Sequence, residues 1–241
     1  MSLQAHVMIA LSLFFGAFVH GSVGFGSALI AVSLTSLILG IKTAVPFVAP
    51  YALLIAAFLL WHALDHVEWC HFAYPAVGTL FGVPAGIWLL KSLSPPVMKN
   101  ILGVFMLAFV IWSILWRRVR FVIIRARIWG FVSGFMGGVF GGAIAVPGPP
   151  LVMFVSLSTW SKETMRSVIQ AYLIFTYVLT LVIFGGTGMV NRETLLLNLY
   201  HLPGVVLGML AGQALFQRIP QRWFIRGVLA MLTVLGVRLC W

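Results

Sequence analysis

Residues 6–40 run for 35 positions without one Asp, Glu, Lys or Arg. A membrane-crossing helix needs about 20 apolar residues, so this run is too long for one ordinary span and too short for two full ones. Its middle reads Gly21-Ser22-Val23-Gly24-Phe25-Gly26-Ser27, where each glycine weakens a helix by roughly 1 kcal/mol. A second uncharged run, 128–158, carries Gly137-Gly138-Val139-Phe140-Gly141-Gly142-Ala143-Ile144-Ala145-Val146-Pro147-Gly148-Pro149-Pro150. There each interior proline costs a helix roughly 3 kcal/mol. Unwound backbone at bilayer depth persists only where it is buried in protein or lines a cavity. The two stretches are therefore expected to be paired breaks in helical hairpins, facing one polar site.

Composition excludes a water-soluble globule: 62% of residues are hydrophobic and 8% charged, against about a quarter charged in soluble domains. The first 20 residues hold no Lys or Arg and so lack the basic flank of a cleavable signal peptide; they are expected to stay in the mature chain. Two cysteines, Cys70 and Cys240, exclude a disulfide framework and ordinary zinc spacings. The net charge of +11 falls between apolar runs, as topology and anionic lipid headgroups require, and argues against nucleic acid as a partner. The four carboxylates, Asp65, Glu68, Glu163 and Glu193, all lie in connecting segments. Proton relays of cation and multidrug pumps use intramembrane Asp or Glu, so a substrate bringing its own negative charge fits better.

After the first run, spans are expected at 43–61, 72–90, 100–116, 167–186, 194–216 and 224–240, with Pro46 and Pro50 near the start of their span and a wet connector from Trp61 to His71. The basic stretch 117–127 is expected to link a first half, 1–116, to a second, 128–241, within one transmembrane domain. Gly78, Gly82 and Gly86 recur as Gly204, Gly208 and Gly212 at a constant offset of 126, a small-residue spacing that lets helices approach closely. The expected fold is thus an all-α membrane protein of two inverted repeats, each a broken helical hairpin plus three transmembrane helices. If both hairpins enter and leave on one side, ten basic residues collect on one face and five on the other. That bias puts the richer face inside and both termini outside.

The early G-x-x-G-F-G-S-x-L, Gly21 to Leu29, and the later G-G-x-x-x-V-P-G-P-P-L, Gly141 to Leu151, together resemble the TauE/SafE sulfite exporter family of bacterial membrane transporters. The resemblance extends over the chain in length, in two similar halves and in a glycine motif opening each. It implies a multi-pass protein of the bacterial inner membrane that moves small sulfur-containing anions, without a cofactor.

The residues suggest how. A break at Gly24-Phe25-Gly26 exposes amides at the start of helix 27–39, and Gly141-Gly142 precede a segment interrupted by Pro147. Two positive helix ends aimed at one point suit an oxyanion. Candidate substrate-binding residues are Gly21, Ser22, Gly24, Phe25, Gly26, Ser27, Gly141, Gly142, Pro147, Gly148, Pro149, Pro150 and Gln170. Serine hydroxyls at such positions also bond to their own helix, the prolines can shape the break without touching an anion, and Gln170 needs some partner within its span. Asn198, Tyr200 and His201 form a polar patch with the same ambiguity. His20 is the candidate for proton coupling, a buried neutral histidine being the alternative.

His62, His66 and His71 beside Asp65 and Glu68 suggest an interfacial cluster rather than a metal site. Trp61, Trp69, Trp112, Trp116, Trp129 and Trp160 read as interfacial anchors. The alternative function is an ion channel with a glycine-rich filter at 22–26, although the second half carries no matching copy. An enzyme with Ser27 as nucleophile is disfavoured: Leu29 stands where a glycine is expected and no span holds an orienting carboxylate. The expected partners are a small anion and the bilayer; a homo-oligomer is allowed.

Overall fold

A computed structural model describes residues 3–61, 64–66, 68–115, 126–158, 160–216 and 221–241. His62, Trp116, Arg218 and the expected linker 117–127, apart from its last two residues, lie outside them. The described chain is helical throughout: α1 Leu3–Val23, α2 Ser27–Leu39, α3 Ile41–Trp61, α4 Trp69–Ser92, α5 Pro95–Leu115, α6 Ala126–Ile144, α7 Gly148–Ser156, α8 Lys162–Gly186, α9 Arg192–Phe216 and α10 Gln221–Cys240. Among the described residues six stretches are long and apolar enough to cross a membrane: α1, α3, α4, α5, Glu163–Gly186 and Arg192–Ala214.

Each long uncharged run folds as one long helix followed by a short one. With 13 residues, α2 is about 20 Å long; with nine, α7 is about 14 Å. Neither spans a hydrocarbon core of about 30 Å. Both turn back on the helix before them. A methyl at Gly16 of α1 would come 2.7 Å from the Ser27 carbonyl oxygen and 3.0 Å from the Ala31 side chain. A methyl at Gly137 of α6 would come 2.8 Å from the Pro147 carbonyl oxygen.

The third segment starts two residues earlier than the hydropathy suggested. Gly40, at φ 76°, ends α2 with its amide on the Ser36 carbonyl, and its own carbonyl accepts from Ala44 at 2.9 Å, so α3 begins at Ile41. Pro46 and Pro50 accordingly sit inside α3 rather than in its first turn. Lys42, in that first turn, donates to the Lys91 carbonyl oxygen at 3.0 Å, a cation on the C-terminal carbonyls of α4.

Helices pair across the sequence. α4 packs on α6, α1 on α9, α5 on α10 and α3 on α8. Glycines make the first two pairings close: side chains at Gly78, Gly82 and Gly86 would strike the carbonyl oxygens of Phe131, Phe135 and Val139, and those at Gly208 and Gly212 would strike Phe14 and Phe18. Elsewhere on α4, Phe81 and Trp88 are exposed, as side chains facing acyl chains would be. The buried core draws most on α3, with α2, α5, α8 and α1 contributing, and Phe47, Tyr172 and Phe184 are its largest fully enclosed side chains.

Candidate anion site at the two helix breaks

The first break is made by two residues in the left-handed region. Gly24 has φ 87° and Gly26 φ 100°, conformations that a side chain disfavours by roughly 1–2 kcal/mol. α1 closes with the Gly24 amide on the His20 carbonyl at 2.7 Å, and Gly26 then stands as N-cap of α2 with no side chain capping it. The amides of Ser27, Ala28 and Leu29 therefore have no carbonyl one turn earlier to accept from them. The second break uses a different residue type. Ala145 takes φ 55°, and Pro147 caps α7, whose first turn contains Pro149 and Pro150. Those two prolines remove two of the amides that α7 would otherwise offer.

The two breaks meet. One pocket is lined by His20, Phe25, Gly26, Ala28 and Leu29 from the first and by Val146, Gly148 and Pro149 from the second, with Leu173 and Tyr177 of α8 completing the wall. α8 also holds both breaks in shape. Gln170 Nε2 donates to the Gly24 carbonyl, and Tyr177 Oη donates to the Ala145 carbonyl at 3.0 Å. These side chains sit two turns apart on one face of α8, each bonded to the carbonyl of a left-handed residue.

His20, a residue of the wall, has its Nδ1 2.7 Å from Ser27 Oγ. Its Nε2 is buried without a hydrogen-bond partner, as is Oε1 of Gln170. The two side chains are neighbours, yet no bond of good geometry joins these atoms. A methyl at Gly24 would come 3.5 Å from Gln170 Nε2 and 4.0 Å from Arg166 Nε, which places an exposed guanidinium beside the first break.

The other sequence candidates have different surroundings. Ser22 Oγ is 2.8 Å from both the Phe18 and the Gly212 carbonyl oxygens, so its hydroxyl is turned to α9. Gly21 packs on α9, where a methyl would come 2.6 Å from the Met209 carbonyl oxygen. Gly142 packs on Val83 of α4, and Gly141 on Thr176 of α8. Pro150 lies in the first turn of α7, outside the pocket wall. Leu173, Tyr177, Val146 and Arg166 carry no signal in sequence that separates them from any other span or connector residue.

Two further polar clusters lie apart from the pocket. Glu68 pairs with His71 at 2.9 Å and accepts from Thr164 at 3.2 Å, while His71 stacks on Trp160 at 4.0 Å; this ties the α3–α4 connector to α8. His6 Nδ1 lies 3.4 Å from His201 Nε2, and Tyr51 donates to the Asn198 carbonyl at 2.7 Å. Tyr200 is exposed beside them. No group of three or more His, Cys, Asp or Glu suited to a metal ion occurs among the described residues.

The family model of sulfite exporter TauE/SafE matches residues 8–239. The chain belongs to the TauE/SafE family. The match runs through both glycine breaks and every helix of the bundle, in agreement with the resemblance carried by the two motifs. As a TauE/SafE protein with six long apolar helices, it is a multi-pass membrane protein of a transport family. No curated protein and no solved structure matches it significantly.

Proposed function

We propose that this TauE/SafE protein is a secondary transporter that moves a small anion, a sulfur-containing oxyanion or organosulfonate, across the bacterial inner membrane. The observation that carries this reading is the shared pocket, where two helix starts from distant parts of the chain converge on a wall that His20 also lines. Helix N-termini offer amides and positive dipole ends to an anion without a buried cation.

The transport cycle in this proposal is a rocking of two inverted halves, residues 1–116 and 128–241, around the pocket. The pairing of helices supports it: α4 meets α6 as α9 meets α1, while α3 meets α8 and α5 meets α10. The carbonyls met by Gly82 and Gly86 stand 121 residues after those met by Gly208 and Gly212. Ala145 likewise stands 121 residues after Gly24, and both have positive φ. α2 folded back on α1, with Gly16 against Ser27 and Ala31, fits a first hairpin that enters and leaves on one side, which puts the face with ten basic residues in the cytoplasm. His20 is the residue proposed to couple transport to protons.

The test is flux into liposomes holding the purified chain, for sulfite, sulfate, thiosulfate, sulfoacetate and taurine, with and without a pH gradient. Saturable anion flux is expected. Flux of only a cation or a neutral solute would remove the reading.

A further inference from the structure

Gly24 leaves open a spot that a side chain would fill. Apart from its chain neighbours, the described atoms within 4 Å of a methyl there are Gln170 Nε2 at 3.5 Å and Arg166 Nε at 4.0 Å. Both are hydrogen-bond donors, and both come from α8, where a separation of four residues puts them one turn apart on one face. Gln170 is fully buried. Its amide nitrogen carries two hydrogens, and the Gly24 carbonyl takes one of them.

Arg166 is exposed, yet its charge is felt by the buried His20. Among the described residues it pairs with no carboxylate, not even Glu163 one turn earlier on α8. The first break therefore has beside it one uncompensated guanidinium and one buried amide, both donating and neither contributed by a helix start.

We propose that Arg166 and Gln170 form an anion contact in front of Gly24, where the substrate oxyanion is captured before it enters the pocket. This deepens the anion-transporter reading and rests on it. Neither side chain lines the pocket, so the contact is a separate position at the same break. The guanidinium supplies a fixed charge and a planar fork of donors that suits the oxygens of an oxyanion, while Gln170 adds a neutral donor from the buried side. Glycine at position 24 then serves twice, through its φ of 87° and through the room it leaves. Arg166 stands four residues into α8, about 6 Å from its start, at the end of the span that the basic-residue bias puts in the cytoplasm. Capture is accordingly from that side.

The experiment is flux of labelled sulfite at one fixed pH into liposomes holding the purified full chain, with KM and kcat measured separately. Arg166→Gln is expected to raise KM by about tenfold or more, the worth of a hydrogen bond to a charged group, with a smaller change in kcat. Arg166→Lys keeps the charge and loses the fork, so its KM is expected to fall between the two. Wild-type KM is expected to rise as ionic strength is raised with a gluconate salt, and that of Arg166→Gln to rise less. An unchanged KM and salt dependence in Arg166→Gln would overturn the contact while leaving an anion transporter in place. So would a lower melting temperature in detergent with KM unchanged, the mark of an arginine that only anchors α8 to lipid headgroups. If Arg166→Gln does not fold, a wild-type KM indifferent to ionic strength overturns the contact by itself. No saturable anion flux of any kind from the wild type would remove the transporter reading and this inference with it.

Discussion

The two helix breaks have the same architecture and different chemistry. In each, a helix ends on a left-handed residue, a short helix starts a few positions on, and a side chain of α8 donates to the carbonyl of the left-handed residue. The first break uses glycines and brings His20, Ser27 and Gln170 with it. The second uses Ala145 and a proline-rich turn, and it gives the pocket Val146, Gly148 and Pro149. The polar side chains are thus concentrated at one break while the other is apolar and stiff. Shape and dipole can be repeated from one break to the other, whereas a single small guest needs only one set of polar side chains.

The strongest way to break this comparison is to remove the chemistry from one side at a time. His20→Ala is expected to weaken substrate affinity by about tenfold to a hundredfold, the worth of one hydrogen bond to a charged group. Pro149→Ala, across the pocket, is expected to leave it nearly unchanged. Equal losses in liposome flux would mean that the second break also carries binding chemistry.

Next in size are the two α8 side chains. Gln170→Leu leaves the buried Gly24 carbonyl without its donor and is expected to lower stability by about 1–3 kcal/mol. Tyr177→Phe does the same to the Ala145 carbonyl and is expected to cost about 1 kcal/mol. Thermal unfolding in detergent measures both, and no shift in either would show that α8 does not hold the breaks.

Similar in size or smaller are effects on the left-handed residues themselves. Gly24→Ala is expected to cost about 1–2 kcal/mol, the penalty for a side chain in that region. Ala145→Gly relieves the same penalty at the other break but adds freedom to the unfolded chain, so a change within about 1 kcal/mol is expected, toward stability. A large loss for Ala145→Gly would mean that the alanine methyl packs rather than merely tolerates its position.

Much of this fold is readable from residue order because the bilayer forces it to be. Runs without charge mark where helices cross, and glycine or proline inside such a run marks where a helix stops. Even so, hydropathy starts the third helix at residue 43, because it does not register the positive-φ glycine at position 40 that opens the helix two residues earlier. The polar groups were less legible. Ser22 and Ser27 look alike in sequence, yet one hydroxyl faces the carbonyl of Gly212 and the other meets His20, since they fall on different helices. Tyr177 reads as an ordinary apolar-span aromatic and Arg166 as an ordinary flanking cation, until α8 is laid against both breaks.

What the sequence alone determined is therefore the helical class, the family and the two positions where unwound backbone interrupts an uncharged run. Those follow from local rules: lipid accepts no unpaired backbone, and glycine and proline do not hold a helix together. Which break carries polar side chains into the pocket, and which helix secures them, was decided only by tertiary structure. Residues 20–27, 145–149 and 166–177 come together through packing across more than a hundred positions, and no local pattern records the orientation that packing gives each side chain.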